Sequence, residues 1–414
     1  MKKILTLLAV TIIIFLPACQ APASVSETPT LTHATEVPAT ESPATFYPTE
    51  ELTEEPADAY PVENQIREVT IDYAKNFTLE YKDGYKLLTV TMPWMGATEP
   101  LYYALVPKGT EAKVSEQNAV VIYTPIESII TLSSTYLSFL EQIDKLDSLL
   151  AVDTVDYIFN NSVRESVNEG KIAQVGSGPT IDLEQVIELD PSLVMTSASG
   201  SPDWDTHPVL EQAGLPVVIN SDYLEQDPLG RAEWGKFVAA FYDEESEADQ
   251  IFDAMAERYQ TAKTLVADQT DKVTVLVNTA YEGTWYMPGS QSYAAILLKD
   301  AGAQYLWDDL EGSGAMPVDF EVVVERAKDA DFWLNVGFAG SLADLSAMDP
   351  RYADFSAYKN GKVFNNNARI TEMGGTDYYE DGTANPDMVL MDLITIFYPD
   401  LAGGHELYFY RQLQ

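Results

Sequence analysis

Ile181-Asp182-Leu183-Glu184-Gln185-Val186-Ile187-Glu188 runs into the apolar segment 193–195, and Val318-Asp319-Phe320-Glu321-Val322-Val323-Val324-Glu325 runs into 332–334. In each copy an Asp stands where a helix N-cap belongs. A Glu follows two residues later, near the positive end of the helix dipole, and the apolar face then feeds a buried strand. One such helix and strand unit is common; two of them, on either side of a long helical region, indicate two related lobes.

Working outward from the first copy, residues 129–132, 149–152, 193–196 and 217–220 are apolar β-type runs. Helical patterns at 135–143, 183–188 and 208–213 alternate with them, which argues for an α/β lobe with a mainly parallel sheet. Upstream, 76–81 and 86–91 flank Lys82-Asp83-Gly84, a hairpin signal, and 101–106 makes a third short strand. Between the copies, Trp234, Phe237, Val238 and Phe241, then Ile251, Phe252, Met255 and Tyr259, recur at helical spacing around an acidic break at 243–245. Two helices are expected here, the second reaching about residue 267 and roughly 35 Å long. The strand and helix alternation restarts at 273–278 and continues to the carboxyl terminus.

The amino terminus has the pattern of an export signal over residues 1–18: Lys2 and Lys3, then an apolar run at 4–16 too short to span a bilayer. Leu16-Pro17-Ala18-Cys19 resembles the bacterial lipobox, and Cys19, the sole cysteine, is the expected lipidation site. Residues 19–65 are rich in Pro, Thr, Ser, Ala and Glu without Lys or Arg, and are expected to form a disordered tether. The formal net charge is −41. Such a surface repels nucleic acid and anionic lipid head groups, so the membrane is expected to be met through the anchor alone. Three histidines in the whole chain leave little for a His-rich metal site.

Over about residues 120–413 the chain resembles the iron-siderophore and cobalamin class of ABC-transporter solute-binding proteins, the class III periplasmic binding proteins. The resemblance is carried by Ile130-Thr131-Leu132-Ser133-Ser134-Thr135-Tyr136, by the two copies above, and by Gly283-Thr284-Trp285-Tyr286-Met287-Pro288-Gly289. The most specific part is Gly374-Gly375-Thr376-Asp377-Tyr378-Tyr379 with Asn385-Pro386-Asp387-Met388-Val389-Leu390. It implies two Rossmann-like α/β lobes with mainly parallel sheets, at 66–227 and 269–414, joined by a helical spine at 228–268. It further implies a monomer, needing no cofactor, that holds a metal chelate or corrinoid in the interlobe cleft. The loaded protein would dock on an ABC permease driven by ATPase subunits.

Ligands of open α/β sheets bind beyond the carboxyl ends of the strands. The loops there hold Ser134, Tyr136, Trp204, Trp285, Tyr286 and Tyr378, whose rings could grip a flat ligand at low entropy cost. A given ring is more often ordinary packing. Arg369, with Arg164, is one of the few basic residues near these loops, so a neutral or cationic ligand is favoured over an anionic catecholate chelate. The resemblance assigns permease docking to Glu321 and to Asp203 or Asp205. Two other readings stand beside this one: a secreted α/β hydrolase, against which no Gly-x-Ser-x-Gly elbow is found, and a surface adhesion or signalling lipoprotein with a degenerate cleft.

Overall fold

The computed structural model describes residues 68–414; the expected leader, Cys19 and the whole of the tether lie outside them. The hairpin forms as β1 (Phe77–Lys82) and β2 (Tyr85–Val90), antiparallel, with Lys82 opposite Tyr85. Gly84 in its turn has φ 86°, a backbone conformation that a side chain would strain. Strand β3 (Leu101–Pro107) pairs antiparallel with β2, and β4 (Val120–Thr124) pairs parallel with β3. Although it pairs parallel, β4 therefore belongs to this four-stranded sheet and not to a lobe's parallel sheet. Its burial explains why: only Ile122 and Thr124 of β4 are buried, as in an edge strand with one face to water.

The first parallel sheet contains β5 (Ile129–Thr131), β6 (Leu149–Val152), β7 (Ala173–Gln174), β8 (Val194–Thr196) and β9 (Val217–Ile219), in the order β7-β6-β5-β8-β9. The second lobe contributes β10 (Thr274–Val277), β11 (Ala280–Tyr281), β12 (Thr284–Pro288), β13 (Gln304–Tyr305), β14 (Ala315–Asp319), β15 (Phe332–Leu334), β16 (Val363–Asn365) and β17 (Arg411–Gln412). Its main sheet has the order β13-β10-β15-β16-β17, parallel except for β17, while β11, β12 and β14 make a small antiparallel sheet. The stretch β6-β5-β8-β9 thus matches β13-β10-β15-β16, and the two sequence copies hold equivalent places. The helices Leu183–Leu189 and Phe320–Ala327 each lead into the strand beside the lobe's first parallel strand.

The connecting region contains three helices, Pro228–Ala232, Trp234–Ala240 and Glu245–Leu265, where the spacing predicts two. Glu233 marks the extra break, its buried carboxylate accepting the N–H groups of Asp72, Tyr73 and Ala74. Those bonds tie the segment leading into β1 to the spine. The last helix, 21 residues and about 31 Å long, places Ala248 in the first-lobe core and Phe252, Met255, Tyr259 and Ala262 in the second-lobe core. A single rigid element therefore belongs to both cores.

Candidate functional site

The cleft is built from the residues just past the strand ends. After β10 and β15 the chain leaves the sheet through Asn278 (φ 63°) and Asn335 (φ 57°), left-handed positions that Asn tolerates better than other side chains. Strand β16 ends in Asn365, and Asn366 and Asn367 follow it. Several of these amides are structural. Asn278 Nδ2 donates to the Tyr286 carbonyl at 2.9 Å, Asn365 Nδ2 to Gly337 at 2.8 Å, and Asn367 Oδ1 accepts Arg411 Nε at 2.9 Å. Around them opens a cavity of about 540 Å³ whose second-lobe wall carries Asn278, Asn335, Asn366 and Asn367 beside Tyr281, Tyr286, Phe338, Thr376 and Tyr379. Ser134 and Tyr157 complete it from the first lobe.

Among the described residues lining this cavity, none is Asp, Glu, Lys, Arg or His. Its floor is a close crossing of the two lobes: a Cβ on Gly375 would stand 2.7 Å from the Tyr157 carbonyl carbon, so glycine alone fits. Nearby, Glu380 fastens the second lobe to the first by accepting the N–H groups of Phe159 (2.7 Å) and Asn160 (2.8 Å), and Ser138 donates to Asp381. Burial, then the neighbouring Asp377 and Asp381 charges, push the Glu380 carboxyl up to about 7 against the two bonds that favour its ionised form.

A second cavity, about 590 Å³, lies at the carboxyl ends of the first-lobe strands and is rich in hydroxyls, among them Ser177, Thr180, Thr196, Ser197 and Ser199. Trp204, 72 % exposed, and Tyr223 stand on its wall.

The structure sorts the expected residues into different places. Ser134 and Tyr286 line the cleft and Trp204 the first-lobe cavity. Trp285 does not face the cleft. The segment expected as a loop is strand β12, so its side chains alternate, with Trp285 and Met287 inward and Tyr286 outward. The Trp285 indole donates to the Val277 carbonyl at 2.8 Å and packs against Trp333 and Tyr352. Tyr136 is a second correction: it lies on the buried face of the helix Thr135–Gln142, its hydroxyl 3.4 Å from the Asn220 carbonyl. Tyr378 is a third, buried with its hydroxyl against that of Tyr293 at 3.0 Å, while the adjacent Tyr379 is the exposed ring of the pair. Arg369 also misses the cleft. It pairs with Asp377 and lies over the rings of Phe159 and Tyr408, beside a separate cavity of about 320 Å³.

Of the expected docking acids, Glu321 is exposed and 3.3 Å from Arg351, and Asp203 is exposed. Asp205 is engaged in its own loop, accepting the N–H groups of Ser199 and Gly200 and the Ser199 hydroxyl. Its carboxylate shapes the turn, which removes it as a free surface acid. Among the described residues, no group of three His, Cys, Asp or Glu is placed to hold a metal ion. The asparagines and Phe338 escape a reading centred on Trp and Tyr, although each of β10, β15 and β16 visibly runs into Asn.

Residues 129–369 match the family model described as periplasmic binding protein. The chain is 31 % identical to the uncharacterized lipoprotein MJ0878 of Methanocaldococcus jannaschii over 74 % of its own length and 73 % of the relative's. A second uncharacterized lipoprotein of that organism, MJ0872, is 27 % identical over 70 % and 75 %. Among solved structures, a possible iron-binding, periplasmic solute-binding protein of Staphylococcus epidermidis superposes with TM-score 0.52 at 17 % identity, covering 66 % of this chain and 100 % of that one. A periplasmic heme-binding protein of Pseudomonas aeruginosa gives 0.52 at 17 %, covering 70 % and 98 %. At such identities the structural likeness is one of fold. With the family model spanning more than half of it and two α/β lobes meeting at a cleft, the chain belongs to the periplasmic binding protein family, which consists of solute-binding proteins and not enzymes.

Proposed function

We propose that this chain is the lipid-anchored, extracytoplasmic binding component of an ABC importer, and that it captures an uncharged metal chelate, a ferric hydroxamate or a corrinoid. The observation that carries this reading is the cleft between Tyr157 and the asparagine wall, which offers rings and neutral polar groups but no charge. An anionic chelate buried there would lose its hydration without gaining a cation, at a cost of several kcal/mol. A neutral one would lose little and gain contact with Tyr157, Tyr281, Tyr286 and Phe338. Cys19 supplies the anchor in this reading, supported by the lipoprotein names of the two relatives. No described helix is long and apolar enough to cross a membrane.

For permease docking, the equivalence of the two lobes replaces the first-lobe candidate. Glu184 holds in the helix Leu183–Leu189 the place that Glu321 holds in Phe320–Ala327; both are exposed, and each has an exposed apolar neighbour, Ile187 or Val322. Glu184 and Glu321 are therefore the proposed pair, with Asp203 set aside.

The test is a thermal-shift and fluorescence titration of the full chain in detergent against a ferric hydroxamate, cobalamin, cobinamide, haem and a ferric catecholate. An uncharged chelate at about a hundredfold its Kd adds roughly 2.7 kcal/mol of stability, whereas the anionic catecholate and haem leave the melting temperature unmoved. Tightest binding by an anionic member, or no binding by any, contradicts the reading. Glu184→Lys and Glu321→Lys keep ligand affinity and lose uptake in a permease-dependent transport assay. Cys19→Ala loses lipid labelling.

A further inference from the structure

We infer that the second-lobe wall reads a primary carboxamide on the ligand through Asn335, Asn366 and Thr376, an assignment that rests on the cleft-binding reading above and narrows its substrate class. Three buried side-chain atoms on this wall have no hydrogen-bond partner within the protein: Asn335 Oδ1, Asn366 Nδ2 and Thr376 Oγ1. The other unpartnered atoms among the described residues belong to Thr124, Thr131, His207 and Asp387, none of which lines this cleft. Asn366 is 7 % exposed, so water reaches it poorly. A buried polar atom left without a partner costs about 1–3 kcal/mol. Three on one wall, beside the engaged amides of Asn278, Asn365 and Asn367, mark places that a ligand completes.

The three atoms differ in kind, and that fixes the ligand group. Asn335 Oδ1 accepts only, Asn366 Nδ2 donates only, and the Thr376 hydroxyl does either. The complementary group carries an N–H donor and a carbonyl acceptor together and bears no charge. A primary carboxamide has this pattern. A carboxylate accepts only and brings an unpaired charge to a wall without cations; an ester accepts only. A hydroxamate bound to iron has both oxygens committed to the metal, so it leaves the Asn366 donor without a free acceptor. The class indicated is an uncharged chelate whose rim carries primary carboxamides.

The test titrates the full chain in detergent with dicyanocobinamide, whose macrocycle rim bears amides, and with dicyanocobyrinic acid, which bears carboxylates on the same macrocycle. Cobinamide is expected to bind at least about 100-fold more tightly than the acid. Asn366→Leu and Thr376→Val, near-isosteric changes, each weaken cobinamide by about 3–20-fold. Because Asn366→Leu and Thr376→Val remove atoms that bond nothing in the protein, melting of those two variants without ligand does not fall, which separates a ligand contact from a structural role. Equal binding of amide and acid overturns the inference and the charge-free cleft reading together. Variants that bind cobinamide as the parent does overturn the inference and leave the cleft reading standing. So does binding of an uncharged ferric hydroxamate with none of cobinamide. If neither chelate binds, both fall.

Discussion

The two lobes share a strand order and differ in what stands at its end. In the first lobe β5 and β8 run into hydroxyls, Thr131 with Ser133 and Ser134, and Thr196 with Ser197 and Ser199; in the second β10, β15 and β16 run into carboxamides, Asn278, Asn335 and Asn365 to Asn367. Short hydroxyls bond close to home, as Thr196 does to the Ser197 carbonyl and Thr180 to that of Ser177. Carboxamides reach farther and tolerate the left-handed turn, so some brace neighbouring loops while others face the cleft. Apolar strand interiors thus set the architecture twice over, and the one or two residues after each strand set the chemistry separately in each lobe.

The sharpest way to break this division is at two adjacent residues of β12. Trp285→Ala removes a fully buried indole from the second-lobe core and is expected to cost about 3–5 kcal/mol in urea unfolding. Its neighbour Tyr286 faces the cleft, so Tyr286→Ala is expected to change stability by less than about 1 kcal/mol while weakening ligand binding by about tenfold. The reverse pattern would mean that the strand presents its other face to the ligand.

Glu380 tests how the lobes are fastened. Its carboxyl ordinarily titrates near 4.5 and is raised to about 7 in the fold, first by burial. A raised carboxyl binds its proton more tightly when folded, so its contribution is complete below about 4.5 and is lost as pH climbs through 7. Unfolding measured at pH 5 and pH 8 should show the parent losing about 1–3 kcal/mol more than Glu380→Gln between the two. Equal losses would show that this interlobe bond titrates normally.

The smallest effect compares the two sequence copies. Asp182 accepts the Gln185 N–H at 3.0 Å, whereas Asp319 ends β14 opposite Thr284 and makes no cap bond. Asp182→Ala should cost about 1 kcal/mol and Asp319→Ala less than about 0.5. Equal costs would mean that the copies cap their helices alike.

Much of the architecture is legible in one dimension, because strands such as Leu149–Val152 are short apolar runs and the spine repeats its apolar residues at helical spacing. The cleft is less so. Its loops are found by tracing each strand to its carboxyl end, but which ring of a pair turns inward depends on a pleat or a helix face: Trp285 against Tyr286, Tyr378 against Tyr379. Arg369 is drawn from the cleft by Asp377, a partner eight residues away that only the fold places beside it. Glu184, proposed above for docking, is by contrast already visible in the sequence echo with Glu321, and the matching sheet order gives that echo its meaning.

The most direct test of the account is an equilibrium titration of the full chain with an uncharged and an anionic chelate under identical salt, read by tryptophan and tyrosine fluorescence. A charge-free cleft predicts saturable binding of the uncharged chelate, weakened in Tyr286→Ala, and none of the anionic one; tight binding of the anionic chelate would contradict it.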